Sequence, residues 1–212
     1  MYLDRLDPYS DFTALDVETT GRATWQDVVV EIGAIRYVNG VEVERCVTLV
    51  KAGTSMLPWI TRLTGITDGM VSSAPPPSVV AGRLVRFLGW RPLVVHNASF
   101  DVPILERFLS RHAPGRSESP GRGWIAPPVF CTLRLSRRLL ARLPSRSLPA
   151  LAEYFDFTPR YVTGAQFHRA GTDAEAAAHV FFCLSAMQTS PDAWAPRRRP
   201  RPRRVRSITG GR

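Results

Sequence analysis

The chain has 212 residues, 44% of them hydrophobic and 22% charged, which suits one domain of ordinary size with a real core. No apolar run is long enough to span a membrane and the N-terminus lacks a signal-peptide profile, so no membrane association and a cytoplasmic location are expected. The formal net charge of +10 is concentrated at one end, because eight Arg and no acid lie between Pro196 and Arg212 and the remainder is near balance.

The first predicted element is a buried central strand from Phe12 to Val17, apolar or β-favouring apart from its acid. Side chains two apart on a strand share a face, ~6.5–7 Å apart along the chain. Asp16 and Glu18 therefore project together at the strand's C-terminal end, where Thr19-Thr20-Gly21 turns the chain away. Two like charges on a buried face repel and lose hydration, a conflict that a hard cation with oxygen ligands removes. A lone Asp-x-Glu is more often a solvated strand end.

Asp27 to Tyr37 and Val41 to Val50 are β-rich runs joined through Asn39-Gly40, a hairpin signal that places them with the first strand in an antiparallel meander. Helix, strand, helix and strand follow, the strands being Leu93 to His96 and a short one from Val129 to Thr132. The first leads into His96-Asn97-Ala98-Ser99-Phe100-Asp101 and then a helix with Ile104, Leu105, Phe108 and Leu109 on one face. Asp101 could simply cap that helix, with Pro103 suited to its first turn. That reading leaves the preceding Asn97 and Phe100 unaccounted for. The Gly-, Pro- and Arg-rich stretch from Pro114 to Pro128 reads as a long loop.

Helices are expected over Arg134 to Leu143, Leu148 to Phe155 and Ala174 to Met187, the last with Ala177, Val180, Phe181 and Leu184 as its buried stripe. Thr172 and Glu175 have capping-box spacing, which would leave Asp173 free to act as a ligand. His168 stands just upstream on a loop loosened by Gly171. A neutral imidazole titrates near physiological pH and suits a base that takes a proton from water. Three cysteines, Cys46, Cys131 and Cys183, lack metal-site spacing and read as reduced thiols.

Asp-x-Glu-Thr-Thr-Gly at Asp16, His-Asn-Ala-x-Phe-Asp at His96 and His-x-Ala-x-x-Asp at His168, in that order, resemble the DEDDh branch of the DnaQ-like 3′→5′ exonucleases. That group includes the proofreading ε subunit of bacterial DNA polymerase III. Val30-Glu31-Ile32-Gly33-Ala34, Thr64-Gly65-Ile66-Thr67 and Ser147-Leu148-Pro149-Ala150-Leu151 agree as well, so the resemblance runs from residue 10 to residue 188. It implies an α/β, ribonuclease H-like domain over residues 1–190, with a mixed five-stranded sheet flanked by helices. Residues 191–212 would follow as a disordered Arg/Pro-rich tail, either solvated or holding phosphates without regard to sequence.

By the same resemblance, Asp16, Glu18, Asp101 and Asp173 hold two divalent ions, Mg²⁺ or Mn²⁺, and His168 is the general base. The reaction implied is release of nucleoside 5′-monophosphates from the 3′ end of single-stranded DNA, with a DNA polymerase subunit as a candidate partner. Thr19 and Thr20 are expected to hold the terminal sugar through their backbone groups. Phe100 would pack near the terminal nucleotide, a core aromatic being the plainer alternative. His96 and Asn97 brace the site rather than touch metal. Many ε-like members carry His where this chain has Thr64, so any substrate contact made there is in doubt. Gln188 to Trp194 departs from sliding-clamp ligands at Pro191 and Trp194 and reads as a fraying helix end. An RNA 3′-end-trimming enzyme and a catalytically silent nucleic-acid-binding module are the alternatives. Retention of all five site residues argues against the second.

Overall fold

The computed structural model describes residues 2–3, 11–21, 28–113, 115, 123–125, 128–159 and 167–189. The expected tail at 191–212, and most of the expected loop at 114–128, lie outside these residues. The strands are β1 (Tyr2–Leu3), β2 (Phe12–Thr19), β3 (Val29–Val38), β4 (Val41–Leu49), β5 (Leu93–Val95) and β6 (Val129–Cys131). The helices are α1 (Pro58–Thr64), α2 (Asp68–Ser72), α3 (Pro77–Leu88), α4 (Ala98–His112), α5 (Thr132–Leu139), α6 (Leu148–Tyr154) and α7 (Ala170–Thr189).

The strands form one sheet in the order β1-β6-β5-β2-β3-β4. β2, β3 and β4 make the expected antiparallel meander, while β5 and β6 add in parallel on the other side of β2. Asn39 (φ 51°) and Gly40 (φ 73°) both take positive φ at the hairpin, as a two-residue turn matched to strand twist requires. Among the described residues the expected five-stranded mixed sheet, β6-β5-β2-β3-β4, carries a sixth strand at its edge. The sixth, β1, is a two-residue pairing with β6, too short to leave any periodicity in the sequence.

Alternation along β2 separates two cores. Leu15 and Val17 face one layer, packed with Leu84 of α3 and Ile104, Leu105, Phe108 and Leu109 of α4. Phe12 and Ala14 face the other, against Ala177, Val180, Phe181 and Leu184 of α7. The small side chains of α7 let it lie close on the sheet, and Phe181 meets Phe12 with ring centroids 5.0 Å apart. Emptying such a buried aromatic position costs about 3–5 kcal/mol. This mixed sheet covered on both faces by helices is the ribonuclease H-like arrangement.

α7 begins at Ala170, four residues before the expected start at Ala174, and the Thr172–Glu175 capping box does not form. Thr172 lies within the helix, and Glu175 pairs instead with Arg45 on β4 at 2.9 Å. The cap comes from another strand: the Glu31 carboxylate accepts the Ala170 N–H at 2.9 Å. α5 likewise runs earlier than expected. Beyond its end, the Arg146 guanidinium donates to the Leu140 and Ala141 carbonyls at 2.8 and 2.6 Å and satisfies them.

Candidate active site

Period-2 geometry sends Asp16 and Glu18 to the α7 side of the sheet, continuing the face begun by Phe12 and Ala14. In the β2–β3 register Asp16 lies opposite Gly33 and Glu18 opposite Glu31. A Cβ at Gly33 would run into the Ala170 carbonyl. A glycine there lets the first turn of α7 settle against β3, bringing Asp173 over the β2 carboxylates. Asp173 accepts the His168 N–H at 3.2–3.3 Å. His168 takes a left-handed backbone (φ 67°), a conformation uncommon for a residue with a Cβ.

One donor atom from each of Glu18, His168 and Asp173 lies within 4.8 Å of the others. Asp101 arrives from α4 in the opposite layer. It is 4% exposed, and its carboxylate accepts the Val17 backbone N–H beside Asp16 and Glu18. It lies inside the first turn of α4 and not at the N-cap, which is Asn97 and makes no side-chain cap.

The electrostatics report one shared cluster. Burial pushes Asp16 well above the ordinary carboxylate range, reinforced by the charges of Asp101, Asp173, Glu18 and Glu31. Burial and then Asp173, Glu31 and Asp101 push Glu18 up to about 8, against a smaller opposing pull from Arg169. Asp101 is pushed up to about 8 by burial, its backbone hydrogen bonds opposing. Asp173 reaches about 7, again mainly by burial, with the His168 amide opposing. Four carboxylates crowded in this way hold more negative charge than their surroundings neutralise. An all-oxygen donor set under such strain fits hard divalent cations.

Two residues of this site carried no recognised role in the sequence. Glu31, 2% exposed, receives Arg169 through Nε at 3.1 and 3.2 Å and Nη2 at 2.6 Å. Like charges directly opposite on paired strands are unfavourable, and Arg169 offsets the Glu18–Glu31 pairing. Gly33 is the other. A glycine inside a strand is a legible sign of close backbone approach, and an acid in the apolar run Val30 to Ala34 is a sign of a buried partner.

Thr19 and Thr20 are buried in the turn that ends β2. The Thr19 hydroxyl donates to the Gly21 carbonyl at 2.8 Å. The Thr20 amide donates to the Val28 carbonyl at 2.9 Å, and its hydroxyl accepts the Val28 N–H at 3.1 Å. Phe100 is half-buried and packs on the α3–α4 core. His96 Nδ1 lies 2.9 Å from the Thr132 hydroxyl. Thr64 is buried, donating to Ile60 O and accepting the Ile66 N–H, so its role is to shape the α1–α2 junction. A cleft of about 520 Å³ is lined by Asp16, His168 and Asp173 together with His96, Arg137 and Arg146. Among the described residues no helix is long and apolar enough to cross a membrane.

Comparison with known proteins agrees with this geometry. A Mycobacterium tuberculosis protein provisionally described as a bifunctional exonuclease/endonuclease is 39% identical over 82% of the chain, which spans only 26% of that protein's length. The DNA polymerase III subunit epsilon of Aquifex aeolicus is 29% identical, covering 80% of the chain and 78% of its own length. Among solved structures, exonuclease X in complex with 5′ overhanging duplex DNA superposes with a TM-score of 0.62 at 25% identity, covering 87% of this chain and 95% of that one. The RNase_T exonuclease model matches residues 13–181, and the chain belongs to that exonuclease family.

Proposed function

We propose that the chain is a divalent-metal-dependent 3′→5′ exonuclease that removes nucleoside 5′-monophosphates from single-stranded DNA ends. The observation that carries this is the meeting of Glu18, His168 and Asp173 within one 4.8 Å group, with Asp16 and Asp101 in the same field of charge. Asp16, Glu18, Asp101 and Asp173 would hold two Mg²⁺ or Mn²⁺ ions. When bound, such ions make a water more acidic and stabilise charge on the attacking and departing oxygens.

The protein's own contributions follow from placement. His168 accepts the proton of the attacking water. Asp173, hydrogen-bonded to the His168 backbone, fixes where that imidazole stands relative to the carboxylates. The closed Thr19-Thr20-Gly21 turn holds the end of β2 rigid, as a seat for the terminal sugar requires. Phe100, half-exposed near the first turn of α4, offers an apolar surface to the terminal nucleotide. The epsilon-like relative makes a polymerase a natural partner.

The test is incubation with Mg²⁺ or Mn²⁺ and matched 5′-labelled DNA and RNA strands, with EDTA controls. A ladder shortening from the 3′ end, stronger on DNA and abolished by EDTA, is expected. Release of labelled mononucleotide at the first step would mean the opposite polarity and overturn the assignment. Preference for RNA would move the chain to the RNA-trimming alternative.

A further inference from the structure

The cleft above the carboxylates is also lined by two cations that the hydrolytic step does not use. Arg137 on α5 and Arg146 just before α6 line it together with Asp16, His168 and Asp173. We infer that Arg137 and Arg146 form a binding subsite for the phosphodiester immediately upstream of the one being cleaved. This rests on the nuclease reading above and extends it to a second point of contact.

Three observations carry it. First, Arg137 is exposed and makes no hydrogen bond or ion pair with any described residue. Second, Arg146 is held in place before any ligand arrives. Its Nη2 is tied to the Leu140 and Ala141 carbonyls, while its Nε is buried with no acceptor. A cation anchored in this way loses little further freedom on binding, and a guanidinium charge suits a phosphate. Third, the charge of Arg137 reaches into the cleft: together with burial, the larger cause, it holds the His96 imidazole down to about 4. The ring, which lines the same cleft, is therefore uncharged at neutral pH and leaves the guanidinium field intact.

The cleft thus brings acids, an imidazole and two cations to one lining. A nucleic-acid strand repeats its phosphate at every nucleotide. With the scissile phosphate over the carboxylates, its neighbour would fall where the arginines stand. Such contacts read backbone charge and not base identity.

The experiment compares Arg137→Gln, Arg146→Gln and the double variant on two substrates. One is the p-nitrophenyl ester of thymidine 5′-monophosphate, which has a single phosphodiester and nothing upstream. The other is a 5′-labelled oligo-dT. Each substitution should raise KM for oligo-dT by roughly tenfold, the scale of one charged hydrogen-bonded contact, and this loss should exceed that on the ester. Anisotropy binding of the same oligo-dT in EDTA, where no cleavage occurs, should weaken in parallel. Its salt dependence should flatten by about 0.7 in log–log slope per lost contact.

Equal losses on ester and oligomer would overturn the subsite, since a distorted active site affects both. Unchanged oligo-dT affinity in Arg137→Gln, whose exposed side chain bears no structural load, would overturn it as well. A wild type that binds oligo-dT through these arginines yet cleaves neither substrate would sink the nuclease reading and leave the subsite standing.

Discussion

Glu31 on β3 and Arg169 at the entrance to α7 are joined by three close N···O contacts, from 2.6 to 3.2 Å, between residues 138 positions apart. The same carboxylate takes the first amide of α7 and lies directly across from Glu18. One acid therefore orients the loop carrying His168, caps the helix carrying Asp173 and crowds a site carboxylate.

The pair should be asymmetric under mutation. Arg169→Ala leaves Glu31 buried and unpaired beside Glu18, and stability should fall by about 3 kcal/mol. Glu31→Gln keeps an oxygen for the Ala170 amide and removes a charge facing Glu18, so it should cost only about 1 kcal/mol. The double variant should be more stable than Arg169→Ala alone. Urea unfolding of the three proteins measures this, and a double variant no better than Arg169→Ala would contradict it.

Gly33→Ala should damage both stability and turnover, because the new methyl meets the Ala170 backbone rather than a movable side chain. A loss of about 1–3 kcal/mol is expected from overpacking. Turnover should fall with it, since the methyl displaces the segment between His168 and Asp173. Gly53→Ala, with open space around its site, is the control and should leave both unchanged. Thermal unfolding and initial rates read the contrast.

His168 separates chemistry from strain. His168→Ala should lower kcat by roughly 10²–10⁴-fold, as for loss of a general base, with the fold intact. His168→Gly should be equally inactive yet more stable than the Ala variant by about 1 kcal/mol, because glycine accepts φ 67° without penalty. Full activity in either variant would remove His168 from the mechanism. Asp16→Ala should abolish nucleotide release altogether.

Without metal, stability should fall as pH rises. Asp16, Glu18, Asp101 and Asp173 are all shifted upward in the folded chain, the last three to about 8, 8 and 7. The folded state then binds more protons than the unfolded one. The stability linked to those protons is fully present below the unfolded carboxylate values near ~4 and is lost as pH climbs through the folded values. Melting temperature in EDTA should drop between mildly acidic and mildly alkaline pH. Millimolar Mg²⁺ should restore it, with a gain that grows with pH. Asp16→Asn should flatten the slope in EDTA, and an unaltered slope would show that the cluster does not govern it.

Much of this arrangement was legible locally. Alternation fixed which face of β2 bears Asp16 and Glu18, Asn39-Gly40 marked the hairpin, and period 3.6 marked the buried sides of α4 and α7. What escaped depends on distant pairing. The start of α7 could not be read from Thr172 and Glu175, because its cap is supplied by Glu31 from a different strand and Glu175 is drawn to Arg45. Thr64 was judged only by the histidine it replaces, whereas its hydroxyl serves the local turn. β1 exists only by virtue of β6.

Asp101 and Asp173 come from helices on opposite sides of the sheet, so their meeting at the end of β2 fastens two otherwise separate layers along one rim. Ions seated among them would work as a rivet. Catalytic loading and mechanical stiffness then become a single property of the molecule, and slowed amide hydrogen exchange in the first turns of α4 and α7 should appear together on addition of Mg²⁺.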